Sequence, residues 1–220
     1  MKKTNGRGRL IVFEGIDGCG KTTQLALLKA RLEADGRRAF VTSEPTCKAD
    51  HVPTPAGRLI GEALRGKTVY SDSALAALFL ADRIAHNTDP ALGIRRFLDG
   101  GTDVICARYY YSTAVYQGGE KNLDWILRAH LDCPDVVRPD LCVFLDLSPE
   151  ESLARIGKRN GEREIYERGA EMLAAAREKY LAVFERIRAL DPAQNIRVLS
   201  AAEPADVLAG RIYDEVARLS

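Results

Sequence analysis

Residues 15–22 form a glycine-rich segment whose spacing suits phosphate binding. The segment reads GIDGCGKT and matches the pattern G-x-x-x-x-G-K-[ST]. Its glycines let successive backbone N–H groups turn toward one anion, and a following helix adds its positive N-terminal end. Lys21 supplies a cation for the outer phosphates, and the Thr22 hydroxyl is a ligand for Mg²⁺. The pattern therefore predicts a binding site for a nucleoside triphosphate, with ATP as the expected nucleotide.

The elements that must hold this loop are also indicated by the sequence. An apolar, β-rich run precedes the loop at Leu10–Glu14, and leucines at helical spacing follow it over Gln24–Leu32. Four more β-rich runs are separated by stretches of helical period: Ala39–Ser43, Asp103–Ala107, Leu141–Asp146 and Ile196–Leu199. This alternation predicts an α/β fold with a parallel sheet and helices on both faces. Since no linker divides the chain, residues 1–220 are expected to form a single domain.

The phosphate loop alone leaves the phosphoryl acceptor open. Water as acceptor indicates an ATPase or GTPase, a hydroxyl indicates a nucleoside or sugar kinase, and a phosphate indicates a nucleotide kinase. The guanine-reading pattern N-K-x-D is absent from the sequence, and the chain is too short for a motor with accessory domains.

Candidate acceptor residues follow the second and third predicted strands, since ligands of open α/β sheets bind beyond the carboxyl ends of the strands. Phe79 and Arg83 are four residues apart on a predicted helix and therefore point the same way. An aromatic face beside a guanidinium suits the stacking and edge recognition of a flat base. Ser112 and Tyr116 have the same spacing. The alternatives are that Phe79 is an ordinary core residue and that Arg83 forms a surface ion pair.

A short arginine-bearing helix is predicted after residue 148. The segment SPEE at 148–151 is a capping box with proline at the first helical position. Arg155 and Arg159 follow one turn apart, and an Asn-Gly pair at 160–161 ends the helix. Such a helix beside a flexible break is typical of a mobile flap.

Composition excludes several other classes of protein. The net charge of +1 gives no basic field for a nucleic-acid partner. The longest apolar run, residues 74–81, is too short to span a membrane. The five cysteines include no CxxC pair, and the three histidines are scattered, so neither a disulfide framework nor a zinc site is expected. A polar N-terminus without a signal-peptide pattern completes the expectation of a cytoplasmic protein.

Several motifs in register resemble thymidylate kinases. They are FEGIDGCGKTTQ at 13–24, EP at 44–45, LFLADR at 78–83, RYYYSTAVYQ at 108–117, PD at 139–140, LD at 145–146 and PEE at 149–151. The resemblance implies a P-loop NTPase three-layer fold with a five-stranded parallel sheet, helices on both faces and a mobile lid at about 153–167. It implies Mg²⁺-dependent transfer of the γ-phosphoryl group of ATP to dTMP, giving dTDP, in a homodimer.

The resemblance also implies the role of individual residues. Those expected to bind ATP are Gly15, Ile16, Asp17, Gly18, Cys19, Gly20, Lys21, Thr22, Thr23, Arg155 and Arg159. Those expected to bind the acceptor, in a region of about 44–119, are Glu44, Phe79, Arg83, Arg108, Ser112, Thr113, Tyr116 and Gln117. The expected catalytic groups are Lys21, Arg108, Asp17, Arg155 and Arg159, and those expected near the metal are Thr22, Asp17 and Glu167.

Within the acceptor site, the resemblance implies that Phe79 stacks on thymine and that Arg83 forms hydrogen bonds to the edge of this base. Tyr116 would lie against the sugar and exclude a 2′-hydroxyl. Arg108 would hold the acceptor phosphate, and Glu44 would lie near that phosphate and the metal.

The sequence departs from the family pattern at position 107 and in the lid, and at position 18 it follows one of two branches of the family. Position 107 is alanine where the family usually has aspartate, which bears on the placement of the metal. Gly18 replaces the loop arginine of one branch of the family, whereas the other branch supplies arginines from the lid, as Arg155, Arg159 and Arg163 would here. In the lid, EIYE at 164–167 replaces the Asp-Arg-aromatic-Glu run that is usual in the family. Arg163 therefore lies one residue away from the usual arginine. Two alternatives therefore remain, a deoxynucleoside kinase and a catalytically impaired nucleotide-binding homologue.

Overall fold

The computed structural model describes residues 6–49, 52–160 and 166–219, with the backbone alone for 158–160 and 166–168. Its five strands are parallel and lie in the order β2-β3-β1-β4-β5. The strands are β1 (Leu10–Glu14), β2 (Ala39–Ser43), β3 (Asp103–Ala107), β4 (Leu141–Asp146) and β5 (Ile196–Ser200). All five predicted strands are confirmed, and only the last is longer than predicted, by one residue.

Helices connect the strands on both faces of the sheet, as predicted. In the described part of the chain they are α1 (Lys21–Ala34), α2 (Pro55–Leu64), α3 (Asp72–Thr88), α4 (Ile94–Asp99), α5 (Tyr110–Gln117), α6 (Leu123–Leu131), α7 (Pro149–Asn160), α8 (Tyr166–Leu190) and α9 (Ala205–Ala217). A short 3₁₀ turn covers Thr46–Lys48. No helix in the described ranges is both long and apolar enough to cross a membrane.

The central strand β1 fixes the position of the phosphate loop. All five of its residues are buried, and it pairs with β3 on one side and β4 on the other. A strand covered on both faces reads as a continuous apolar run, which is why LIVFE shows no polar alternation until its last residue. Because the loop follows β1 directly, it lies in the middle of the sheet's carboxyl edge, between the ends of β3 and β4.

Aromatic packing holds α8 against the sheet. The rings of Tyr180 and Phe184 lie 5.0 and 5.2 Å from that of Phe144 on β4, and Phe184 also meets Tyr111 edge-on at 5.8 Å. Such aromatic pairs add to the free energy gained by burial. The cluster brings the Tyr180 hydroxyl to the carboxyl edge of the sheet.

The start of α7 follows the capping prediction. The backbone N–H of Glu151 donates to the Ser148 hydroxyl at 3.2 Å, and this hydroxyl donates to the Glu151 carboxylate at 3.0 Å. The predicted break at Gly161, and Arg163 with it, lie outside the described residues.

The tyrosine run at 109–111 does not continue β3 as an extended segment, because α5 begins at Tyr110. All three tyrosines are buried, because Tyr109 precedes the helix while the helical Tyr110 and Tyr111 both direct their hydroxyls to Gln194, at 2.9 and 2.8 Å.

A buried carboxylate at the opposite edge of the sheet joins three segments. Asp103, the first residue of β3, accepts hydrogen bonds from the guanidinium groups of Arg9 and Arg37, the closest at 2.8 and 2.6 Å. Burial opposes ionisation of Asp103, but the hydrogen bonds from Arg37 and Arg9 outweigh it and lower its pKa from 3.8 to about 2. The charged form therefore stabilises the fold above about pH 4, and this stabilisation is lost as the pH falls toward 2.

We expect Asp103→Asn to lower the free energy of unfolding by about 2 kcal/mol at pH 7, the value that a pKa shift of this size represents. The difference from the wild type should shrink below pH 4, where the wild-type carboxylate also becomes protonated. Urea unfolding at a series of pH values measures it. Asp99→Asn, at the exposed end of α4, is the control. A difference that stays constant from pH 7 to pH 3 would contradict the assignment.

Candidate active site

The phosphate loop has the backbone conformation that its glycines allow. Gly15, Gly18 and Gly20 have φ values of +144°, +81° and +101°. The loop leads into α1 at Lys21, so the free N–H groups of the first helical turn face the same space. This geometry is that of an anion-binding nest.

Lys21 lies across the loop. Its ammonium donates to the carbonyl oxygens of Gly15 and Ile16, each at 2.9 Å, and lies 3.6 Å from the Cys19 sulfur. Burial, followed by repulsion from Arg108, lowers the pKa of Lys21. Phosphate oxygens beside the ammonium act in the opposite direction, because a nearby negative charge favours the charged form.

A cavity of about 850 Å³ opens over the loop, within the range of small-molecule sites. It is lined by Asp17, Gly18, Cys19, Gly20, Lys21, Thr22, Thr23, Gln24, Arg155, Ile156, Ala201, Glu203, Ala205 and Leu208. We call it the donor cavity. Of the predicted ATP-binding residues, Gly15 and Ile16 contribute the carbonyls that hold Lys21 and do not line it. Arg155 does line it and donates to the Ala201 carbonyl at 2.8 Å, which ties α7 to the loop after β5.

Gly18 explains why this loop has no arginine at its centre. A Cβ atom at Gly18 would lie 2.8 Å from the Ser152 carbonyl oxygen and 3.0 Å from a side-chain carbon of Ile156, both on α7. The Ser152 hydroxyl also donates to the Asp17 carbonyl. The helix therefore packs directly on the loop, and an arginine that joins Lys21 at the donor phosphates has to come from α7 or the residues after it.

A second cavity, of about 760 Å³, lies at the carboxyl ends of β2 and β3. All eight predicted acceptor residues line it: Glu44, Phe79, Arg83, Arg108, Ser112, Thr113, Tyr116 and Gln117. We call it the acceptor cavity. Phe79 and Arg83 face it together from α3, as their spacing predicted. Asp17 and Thr22 line both cavities, so the two meet at these residues.

Arg108 is held at this junction by three partners. Its guanidinium donates to the Asp17 carboxylate at 2.6 Å and to the hydroxyls of Ser112 and Tyr180, each at 3.1 Å. Its φ of +65° is a left-handed conformation that a residue other than glycine rarely adopts. Such strain concentrates at functional sites because the surrounding contacts must enforce it. A fixed guanidinium at this point suits an acceptor phosphate.

Glu14 lies buried beneath Arg108 and anchors its partners. Its carboxylate accepts from the Tyr109 backbone N–H at 2.7 Å, the Tyr180 hydroxyl at 2.9 Å, and the Ser112 hydroxyl and backbone N–H at 2.7 and 3.3 Å. Burial raises the pKa of Glu14, and the charge of Arg108 with these hydrogen bonds opposes the rise. The family usually has an aspartate at position 107 that bears on metal placement, and here the residue is alanine. Because its oxygens are engaged by these donors, Glu14 is poorly placed to bind the metal instead.

Glu44 has partners other than those expected from the resemblance. Its carboxylate accepts from Arg83 Nε at 2.6 Å and faces His86 Nδ1 at 3.0 Å. These contacts make Glu44 a support for Arg83 on the wall of the acceptor cavity. Arg83 thus forms a buried ion pair and not a surface one.

The oxygen donors at the junction fit a divalent cation that arrives with ATP. Mg²⁺ binds one or two protein oxygens and completes its shell with phosphate oxygens and water. The Thr22 hydroxyl and the Asp17 carboxylate, which is 73% exposed, lie where the cavities meet. No cluster of three or more potential metal-binding side chains occurs among the described residues, so this part of the protein offers a partial shell. Asp146 is not part of it, because Arg177 binds its two oxygens at 2.5 and 2.8 Å.

Some predicted residues cannot be compared with the structure. Arg159 and Glu167 belong to α7 and α8, but their side chains lie outside the described part of the chain, as does all of Arg163. Their assignments to ATP and the metal stay predictions.

Three residues that contact the lining of the acceptor cavity were not among the predicted site residues. Tyr180 is one of several apolar residues on the α8 stripe, and only the fold brings its hydroxyl to Arg108. Tyr109 lies under the Arg83 guanidinium at 4.9 Å. His86 follows Arg83 by one helical turn, which was the one available sequence signal.

Comparisons with known proteins agree with this site. The family model described as thymidylate kinase matches residues 13–202. A thymidylate kinase of Thermomicrobium roseum is 38% identical over 208 residues, covering 94% of this chain and 93% of that relative. A probable thymidylate kinase of Pyrococcus horikoshii is 37% identical over 185 residues, covering 81% of this chain and 84% of the relative.

A solved structure extends the agreement to the fold. The thymidylate kinase of Candida albicans superimposes with a TM-score of 0.71 at 26% identity, covering 97% of this chain and 93% of the other. The sequence relatives and this structure each span at least four fifths of both proteins. The family match includes every residue that lines the acceptor cavity and most of those that line the donor cavity. This chain therefore belongs to the thymidylate kinase family.

Proposed function

We propose that this protein is a thymidylate kinase that transfers the γ-phosphoryl group of ATP to dTMP, giving ADP and dTDP. The observation that carries the proposal is the meeting of the donor and acceptor cavities at Asp17 and Thr22, with Lys21 on one side and Arg108 on the other. Phosphoryl transfer needs the two phosphates in line and their charge stabilised by fixed cations. The working unit is a single kinase domain with its phosphate loop at 15–22 and a lid at about 153–167.

The acceptor cavity favours a nucleotide over a free nucleoside. Arg108, held by Asp17, Ser112 and Tyr180, is placed for a phosphate that a nucleoside lacks. A nucleoside kinase needs a general base for the sugar hydroxyl, but Glu44 is engaged by Arg83 and His86. A phosphate acceptor is already ionised at neutral pH, so no such base is needed. The nucleoside kinase is accordingly not favoured.

Each residue is assigned the role that its charge, ring or hydrogen-bond donors allow. Lys21 binds the outer phosphates of ATP, and Arg108 binds the dTMP phosphate. Phe79 stacks on thymine, while the terminal nitrogens of Arg83 donate to its carbonyl oxygens. Mg²⁺ bound with ATP neutralises phosphate charge, and Thr22 and Asp17 are the described residues that would hold it. The retention of these groups disfavours a merely nucleotide-binding homologue. A homodimer located in the cytoplasm completes the proposal, on the family resemblance alone.

The first test is ADP release with Mg²⁺-ATP and one acceptor at a time from dTMP, dUMP, dCMP, UMP and thymidine. We expect the highest kcat/KM with dTMP, because the cavity offers donors for pyrimidine carbonyls and a cation for a phosphate. Turnover of thymidine without turnover of dTMP would refute the assignment of the acceptor. ATP binding without turnover of any acceptor would indicate the impaired homologue.

We expect Arg108→Lys to lower kcat/KM for dTMP on the order of a hundredfold, because an ammonium cannot reach Asp17, Ser112 and Tyr180 at once. KM for ATP should remain within about twofold, since Arg108 lines only the acceptor cavity. Arg186→Lys, on an exposed pair with Asp124, is the matched control. A rise in KM for ATP as large as that for dTMP would contradict the assignment.

We expect Ala107→Asp to lower the Mg²⁺ concentration that gives half-maximal activity severalfold. Ala107 lines the acceptor cavity together with Asp17 and Thr22, so a carboxylate there adds a hard oxygen donor. Ala107→Asn has the same size without the charge and is the control. If both variants shift the Mg²⁺ dependence equally, the effect is one of size, and the metal is not near position 107.

A further inference from the structure

A buried chain of polar groups runs behind the acceptor cavity. It joins Thr42 on β2, His86 on α3, Glu44 after β2 and Arg83 on α3. The four residues are between 1% and 4% exposed. Of the four, only Glu44 and Arg83 line the acceptor cavity. His86 and Thr42 therefore reach the substrate only through the other two.

The contacts of Arg83 hold Nε closely and the two terminal nitrogens more loosely. Nε donates to Glu44 Oε2 at 2.6 Å, and the face of the group lies 4.9 Å from the centre of the Tyr109 ring. The two terminal nitrogens have only long contacts, of 3.5 and 3.4 Å, to the Thr113 hydroxyl. These nitrogens carry four of the five N–H groups, so most of the donor capacity of this cavity-lining residue is not taken up by Glu44.

His86 holds the second oxygen of the same carboxylate. Nδ1 lies 3.0 Å from Glu44 Oε1, and Nε2 lies 3.0 Å from the Thr42 hydroxyl. The imidazole is thus fixed at both nitrogens between a strand and the carboxylate. Without it, Glu44 keeps its bond to Arg83 but is free to turn about its terminal torsion, which is a broad one. The Arg83 guanidinium, which is bonded to this carboxylate, would then change its orientation as well.

We propose that His86 is a positioning residue for acceptor recognition, acting through Glu44 on Arg83. The inference rests on the proposed function, because it takes the acceptor base as the group that Arg83 reads. A hydrogen bond to a charged group is strongly directional, so a misaligned guanidinium weakens binding of the base. The donor cavity is lined by none of the four residues, so we expect substitution of His86 to leave ATP binding unchanged.

Three substitutions separate positioning from simple packing. His86→Phe keeps the ring and removes both hydrogen bonds. His86→Asn places an amide nitrogen near the position of Nδ1 and retains a donor for Glu44. His86→Gln places its amide near Nε2 and loses that donor. His130→Phe is the matched control, since His130 is also 2% exposed but lies on α6 outside the chain of contacts.

We expect His86→Phe and His86→Gln to raise KM for dTMP on the order of tenfold, the change expected from one misaligned charge-assisted hydrogen bond. The kcat and KM for ATP should stay within about twofold, His86→Asn should recover most of the dTMP affinity, and His130→Phe should leave it unchanged. Calorimetric binding of dTMP to each variant, with thermal unfolding to confirm folding, supplies a second readout.

Other outcomes overturn the inference. An unchanged KM for dTMP in His86→Phe, equal losses for both substrates, or equal defects in the Asn and Gln variants would each show that His86 only packs. Should His86→Phe fail to fold, the Asn and Gln pair alone decides. Failure of the proposed function would give a different result from failure of this inference. In that case the wild-type protein itself would neither bind nor phosphorylate dTMP.

Discussion

The carboxylate of Glu14 connects the parts of this site that the chain brings from different places. It belongs to the last residue of β1, directly before the phosphate loop, and it accepts hydrogen bonds from Tyr109, Ser112 and Tyr180. A buried carboxylate is costly unless its oxygens are fully bonded, so these donors cannot leave without a large loss of stability. Two of them, Ser112 and Tyr180, also hold Arg108. The position of the acceptor cation is thus tied to the strand that positions the donor loop.

The same arrangement of arginine against carboxylate recurs with different consequences. The Arg83–Glu44 pair is almost wholly buried, whereas Asp17, the partner of Arg108, is largely exposed. A buried pair is rigid and its breakage leaves an uncompensated charge, while a pair with one exposed member exchanges partners readily. Arg83 is accordingly suited to reading a base in one orientation, and Arg108 to meeting a phosphate that replaces or joins Asp17.

Much of this could be predicted from the sequence, for reasons that differ between residues. The five strands are short apolar runs buried on both faces, and the phosphate loop is a local motif that needs only its own glycines, lysine and threonine. Phe79 and Arg83 were predictable because a helix fixes the relation of residues four apart. Tyr180 was not, since its role depends on a contact across 72 residues. The partners of Glu44 were equally hidden, because a carboxylate after a strand is compatible with a phosphate, a metal or an arginine.

The contact of Gly18 with α7 has a consequence for how such a protein can change over time. A side chain at this position meets Ser152 and Ile156, so an arginine introduced into the loop would require α7 to move away. That movement would withdraw Arg155 from the donor cavity. The two sources of positive charge are therefore mutually exclusive in this geometry. Exchange of one source for the other would therefore require linked substitutions in the loop and the helix.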